Sequence, residues 1–360
     1  MVKQKIYFHY PNIINDGIKR TFEVYYNHFK SKYNLILVTN SNKDLIKKSS
    51  EIKTLGSKIK IIEKFNFLNN ILCAFKIIFL NDKKKIIFSL DDHLILSFLK
   101  MIGFNFKLII RTPNPIYNIY NKDELRFLNN RGFTNKYEIF FYKFANLVIS
   151  YSQQNVLSLK KFFNIKQAKL IYNFFDKKPP RKKRQKKVYN IFFIGRFVDS
   201  KDPVFFLKNM IEISKKIDVK IYFLGEGKLL KTLKNISRGN RNIKFLKYTD
   251  KPYEKYSKIM DLICITSKFD GTPNVLGESI ARSIPCVAPR NVGLANILLN
   301  NGKYGHLYTQ ANDKSFQREI INALENYKET IKKSMLALKG LDKFSKKNTL
   351  ESLDKLISKL

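Results

Sequence analysis

The sequence predicts an α/β protein made of two doubly wound, parallel-sheet domains. Three observations carry this reading. Short apolar runs alternate with amphipathic helical stretches from end to end, the alternation stops at a basic, proline-broken run near the middle, and it then restarts. A parallel strand is reached through a long crossover, most often a helix, so the alternation is the mark of βαβ units. With 360 residues, 44% of them hydrophobic, the chain can bury the core of one or two domains.

In the first half, Lys5–His9 is a short apolar strand. Ile18–Lys30 has helical spacing that sets Phe22, Tyr25, Tyr26 and Phe29 on one side. Strands follow at Asn34–Thr39, Lys58–Ile62, Lys85–Ser89, Lys107–Ile110 and Leu147–Ser150. The domain boundary falls at 177–187, where Lys177 to Lys187 is almost wholly basic and is broken by Pro179 and Pro180. Beyond it, strands are expected at Val188–Ile194, Lys220–Leu224, Ile243–Leu246, Leu262–Thr266 and Pro285–Ala288. Helices are expected at Pro203–Lys216, Lys228–Ile236, Asn274–Arg282 and Ser315–Tyr327. Asp202 before Pro203 supplies a cap residue and a proline for the first turn. The chain therefore divides into domains 1–176 and 188–345, a linker 177–187 and a C-terminal helix 346–360 that packs back on the first domain. Two such halves imply a cleft, since open sheets bind ligands at strand carboxyl ends.

Lys and Arg number 68 against 29 Asp and Glu, a formal charge of +39. The apolar content excludes a disordered polycation. The charge suits two partners, nucleic acid and an anionic membrane, and by itself selects neither. Cys73, Cys264 and Cys286 lie far apart in apolar contexts and form neither a disulfide framework nor a zinc pair, which fits a reducing compartment. The most apolar windows, 65–80 and 86–110, are interrupted by Lys76, by Asp91, Asp92 and His93, and by Lys100 and Lys107, so no span of about 20 apolar residues exists. Met1 to Tyr10 has no apolar core of signal-peptide length. A cytoplasmic protein is expected, peripheral where it meets the inner face of the membrane.

The chemistry concentrates between Ser267 and Ala281. There an apolar strand runs into a turn holding Asp270, Gly271 and Pro273, and then into a helix carrying Glu278. The helix start offers free N–H groups to an anion. Two carboxylates beside it would repel bare phosphate, so hydroxyl groups are their better partners. A sugar nucleotide provides both. Acidic residues at a helix start are also ordinary caps, and the order of the whole window is what sets this one apart.

This window resembles the signature of retaining glycosyltransferases of family 4, which have the GT-B architecture. Asp270 and Glu278 are separated by seven positions, and Ser283-Ile284-Pro285-Cys286-Val287 follows as in that family. The resemblance implies that Asp270 touches donor-sugar hydroxyls and Glu278 the ribose hydroxyls. It implies that the helix start at Asn274, with the amides of Val275 and Leu276, meets the phosphates. Phe193-Ile194-Gly195-Arg196 and then Lys201 match the family's strand ending in Gly-Arg with a Lys five residues on, which implies cations against the departing diphosphate. Leu224-Gly225-Glu226-Gly227 resembles the family's next turn and makes Glu226 a donor contact. These matches extend over residues 188–326.

In the first half the resemblance is thinner. Asn15-Asp16-Gly17-Ile18 falls at the family's glycine loop, with Gly17 the remaining glycine against the donor. Asn173 matches an Asn-containing strand that leads out of this half. No histidine stands in Arg111-Thr112-Pro113-Asn114, where many relatives have one, so Arg111 and Asn114 are candidates to touch donor sugar or acceptor. His93, after Asp91 and Asp92 at an earlier strand end, is another candidate, held below Arg111 because a lone His in such a turn is more often structural or solvated.

The implied activity is transfer, with retention, of a hexose or N-acetylhexosamine from a UDP-sugar to a glycan or lipid-linked acceptor in cell-envelope polysaccharide assembly. No metal or cofactor is implied, and an anionic membrane surface is an expected partner. Phe65–Leu80, with Lys64 and Lys76, suits an interfacial helix, although its aromatics read more simply as core. Two alternatives stay open: a sugar-nucleotide-binding protein without catalysis, and a nucleic-acid-binding protein, for which no recognisable module is present.

Overall fold

The computed structural model describes residues 3–13, 17–39, 54–55, 66–82, 84–112, 139–180, 187–249, 251–268 and 270–360. Outside these lie the predicted strand Lys58–Ile62, the positions Asn15, Asp16 and Asn114, and most of the basic run. The chain divides into two compact units, residues 1–172 together with 350–360, and residues 173–349.

The first unit contains β1 (Lys5–His9), α1 (Gly17–Phe29), β2 (Asn34–Val38), β3 (Thr54–Leu55), α2 (Asn66–Ile78) and β4 (Ile86–Ser89). It continues through α3 (Leu94–Met101), β5 (Lys107–Thr112), β6 (Leu147–Ser150), α4 (Gln153–Phe163) and β7 (Ala168–Leu170). The strands form one sheet of order β3-β2-β1-β4-β5-β6-β7, with every pair parallel. Such a sheet is covered on both faces, so its strands are apolar throughout. Ile6 and Phe8 point to one side, where Phe22, Tyr25 and Phe29 of α1 pack. Tyr7 points to the other, toward Cys73, Ala74 and Ile77 of α2 and Leu96 and Leu99 of α3.

The second unit contains β8 (Tyr189–Ile194), α5 (Pro203–Ser214), β9 (Val219–Leu224), α6 (Leu230–Ile236), β10 (Ile243–Leu246), α7 (Pro252–Tyr256) and β11 (Leu262–Cys264). Then come α8 (Asn274–Ile280), β12 (Cys286–Pro289), α9 (Ala295–Leu298), β13 (His306–Tyr308), α10 (Asp313–Glu325) and α11 (Tyr327–Gly340). Its sheet has the order β10-β9-β8-β11-β12-β13, again wholly parallel. The last helix, α12 (Lys346–Ile357), places Leu350, Leu353 and Ile357 in the same core cluster as Phe8 and Phe29.

Helix starts follow their caps. Asp202 accepts a hydrogen bond from the Phe205 N–H at 3.2 Å, with Pro203 in the first turn of α5. Asn312 caps α10 through Ser315 N–H at 2.8 Å, so that helix begins earlier than the predicted Ser315. β11 ends at Cys264 and not at the predicted Thr266, although the Ile265 N–H still donates to the Val287 carbonyl at 2.9 Å. The structure puts α3 between two predicted strands, inside an apolar window, and adds α11, for which no helix was expected.

One expectation is corrected. The aromatics of the 65–80 window are not all core: Phe75 is 39% and Phe79 76% exposed, and their rings stack 5.8 Å apart. Helical geometry sends Cys73, Ala74 and Ile77 to the sheet and leaves positions 75 and 79 on the outer side.

Candidate active site

In the second sheet the strand order reverses between β8 and β11. At such a switch point the loops after the two strands part and leave a crevice at their carboxyl ends. A cavity of about 100 Å³ occupies this place, and Gly195, Lys201, Asp270, Thr272, Asn274 and Val275 are in its wall.

Backbone fit sets the floor. The Gly195 N–H donates to the Leu224 carbonyl at 3.1 Å. A Cβ on Gly225 would lie 1.9 Å from the Gly195 oxygen, so only glycine permits this approach of the β8 and β9 turns. Lys201 closes a short 3-10 turn, Asp199–Lys201, just ahead of α5. That turn is laced to the segment after β11. The Thr266 hydroxyl lies 3.0 Å from the carbonyls of both Lys201 and Asp202. Lys268 N–H donates to Ser200 O at 2.9 Å, and its ammonium pairs with Asp202 at 3.1 Å.

Across this lacing Lys201 and Asp270 form an ion pair with both side chains mostly buried, 25% and 16% exposed. Burial raises the Asp270 carboxyl above its ordinary range, and the charges of Lys201 and Arg196 only partly offset that. Arg196 itself is exposed at the end of β8. The arrangement is a partly desolvated carboxylate beside two cations at the mouth of a crevice. It can accept hydrogen bonds from hydroxyls and attract a polyphosphate.

The structure thus brings Gly195, Lys201, Asp270, Asn274 and Val275 to one cavity, with the charge of Arg196 felt by Asp270. Glu226 is exposed and outside the cavity wall, and Glu278, a turn into α8, is partly buried and also outside it. Leu276 differs from its implied role. Its N–H donates to the Pro273 carbonyl at 2.9 Å and its side chain is fully buried, which leaves Asn274 and Val275 facing the cavity. Thr266, Ser267 and Thr272 also line the cavity and were not singled out from the sequence. The signal for the first two was their place at the carboxyl end of a predicted central strand.

The remaining candidates belong to the first unit. Gly17 is the first residue of α1. Arg111 is 6% exposed. Its guanidinium lies over the Tyr151 ring at 4.7 Å, its Nε donates to the Tyr151 hydroxyl, and its Nη2 lies 3.4 Å from Thr21 Oγ1. His93 is buried and shares Ser89 Oγ with His9, at 2.7 and 3.2 Å through their Nδ1 atoms. Among the described residues no group of three His, Cys, Asp or Glu side chains is placed to hold a metal ion.

Two wholly parallel, Rossmann-like sheets, one with a charge pair set at its switch point, define the GT-B class. The Anabaena HepE structure in complex with UDP and glucose shares this fold, with a TM-score of 0.75 over 99% of this chain and 100% of that one at 16% identity. The family model of glycosyl transferases group 1 matches residues 174–335. Among curated relatives, the capsular polysaccharide biosynthesis glycosyltransferase CapH of Staphylococcus aureus is 27% identical over 79% of this chain and 77% of its own length. The N-acetylgalactosamine-N,N'-diacetylbacillosaminyl-diphospho-undecaprenol 4-alpha-N-acetylgalactosaminyltransferase of Campylobacter jejuni is 26% identical over 64% of this chain and 63% of its own length.

Proposed function

We propose that this chain is a retaining, metal-independent glycosyltransferase. It moves a hexose or N-acetylhexosamine from a UDP-sugar to a glycan or lipid-linked glycan during assembly of a cell-envelope polysaccharide. The observation that carries the reading is the Lys201–Asp270 pair at the β8/β11 switch point, with the Arg196 charge beside it. The names of CapH and of the Campylobacter enzyme support the pathway and the lipid diphosphate acceptor, and UDP in HepE supports the donor base.

In the proposed step the acceptor oxygen bonds to the anomeric carbon while the bond from that carbon to the diphosphate oxygen breaks, both on one face. The acceptor proton passes to the departing diphosphate. The three N–H donors of Lys201 let it hold Asp270 and a phosphate oxygen together, and Arg196 adds a second cation where negative charge develops. Gly195, Asn274 and the Val275 amide approach the phosphates, Asp270 accepts from the sugar hydroxyls, and Glu278 serves the ribose.

The acceptor reading extends to an anionic lipid surface. No helix among the described residues is long and apolar enough to cross a membrane. In the first unit, however, large apolar side chains stand exposed on, or just after, α2 and α3: Leu68, Phe75, Phe79, Phe98, Ile102 and Phe104. Exposed Lys84, Lys107 and Lys143 belong to the same part of the sequence. Apolar wedges with cations suit the headgroup boundary of an anionic bilayer, and nucleic acid is not a proposed partner.

The test is turnover of a UDP-sugar panel with an undecaprenyl-diphosphate-linked acceptor, with product configuration read by NMR. A retained anomeric configuration and turnover undiminished by EDTA are expected. Asp270→Asn should lower turnover by about 100-fold. Its melting temperature should hold or rise, because the substitution removes a carboxylate that burial disfavours. An inverted product, or full turnover by Asp270→Asn, overturns the proposal.

A further inference from the structure

Helix α8 has a glycine, Gly277, in its interior, a position where glycine weakens a helix. The structure gives the reason. A Cβ at Gly277 would lie 2.2–2.4 Å from the Cε and Cζ atoms of the Phe175 ring, which is only 5% exposed. Phe175 therefore sits in a notch that the missing side chain creates. Its neighbours follow the same stripe of the helix. The Asn173 amide donates to the Asn274 side chain at 2.7 Å, and the Lys178 N–H donates to the Ala281 carbonyl at 2.7 Å. Positions 274, 277 and 281 are three and seven residues along, so they share one face. On its other edge the segment is pinned by the Phe175 N–H to the Phe344 carbonyl at 3.0 Å and by Lys177 to Asp342 at 2.7 Å.

We infer that Asn173–Lys178 is a strap that fixes the setting of α8 at the donor site, with Phe175 and Gly277 as its positioning residues. Asn274 and Val275 open this helix into the cavity, and Glu278 follows the notch directly. A shift of the helix at Gly277 moves all three. The inference rests on the nucleotide-sugar reading only for what the helix holds. The strap itself is a matter of packing.

The experiment compares wild type with Gly277→Ala, Phe175→Leu, the double variant and Asn173→Ala, by amide hydrogen exchange over residues 274–281 and by calorimetric titration with UDP. In Gly277→Ala the exchange of α8 should quicken about 10-fold, although alanine favours a helix over glycine, and UDP affinity should fall about 10-fold. Leucine lacks the Cε and Cζ atoms that the new methyl meets, so the double variant should regain both. Asn173→Ala, at a half-buried position outside the core clusters, should weaken UDP about threefold. Unchanged exchange in Gly277→Ala, or a double variant no better than Gly277→Ala, overturns the strap. Absence of UDP binding by wild type overturns the donor reading, and the exchange data still decide the strap.

Discussion

Burial is the main cause that sets the protonation state of His9 and His93, and at His93 the charges of His9 and Arg111 act in the same direction. The first is lowered to about 4 and the second to about 3, so both are neutral at pH 7. Unfolded, each would titrate near 6.5, so below that value the unfolded chain binds more protons than the folded one. The stability these groups contribute is complete above pH 6.5 and falls away as the pH drops toward 4 and 3. Chemical denaturation of the protein from pH 7 to 4 should show this loss, and His93→Gln should flatten the slope. A slope unaltered by that change would contradict the account. At this scale, the resemblance pointed to Lys201 and Asp270, each in the loop that follows a central strand. The Thr266 hydroxyl, the turned Leu276 amide and the Phe175–Gly277 notch were out of sight. Each depends on a contact between segments far apart in the chain, or on a local backbone turn that residue type does not dictate.

Strands and helices were the most legible level, since a period of two or of 3.6 survives in any context. Their ends were less so. α10 starts early because Asn312 outranks the later residues as a cap. In α2 the apolar pattern runs almost all round the helix, so sequence did not show which aromatics face outward. The exposed Phe75 and Phe79 give a prediction that belongs to this element. Phe75→Ser with Phe79→Ser should cut co-sedimentation with phosphatidylglycerol vesicles by about 10-fold, because interfacial binding scales with buried apolar area. The melting temperature should stay near that of wild type, since neither ring is part of the core. Equal binding by the variant would remove α2 from the lipid-facing surface.

On the scale of the molecule, the restart of the βα alternation after a basic run is what made two units readable. The exact partition was less evident. Residues 173–178 belong to the second unit because Phe175 and Lys178 are held by α8, although the run of charge that begins there looks like free linker. All the described cavity residues fall within 173–349. That fragment alone should unfold cooperatively and bind UDP, as thermal scans with and without nucleotide would show. Residues 1–172 alone lack Leu350, Leu353 and Ile357, and each lost core aliphatic costs about 2–5 kcal/mol. Circular dichroism should show no cooperative melt until residues 346–360 are appended, and a sharp melt without them would refute this partition.

The polypeptide leaves the first unit at Tyr172 and returns to it at Leu350, so the second is formally a guest spliced into a host. On the ribosome the usual order of maturation is then inverted. The guest can finish while the host waits, one flank of α1 uncovered, for residues 350–360 to be translated.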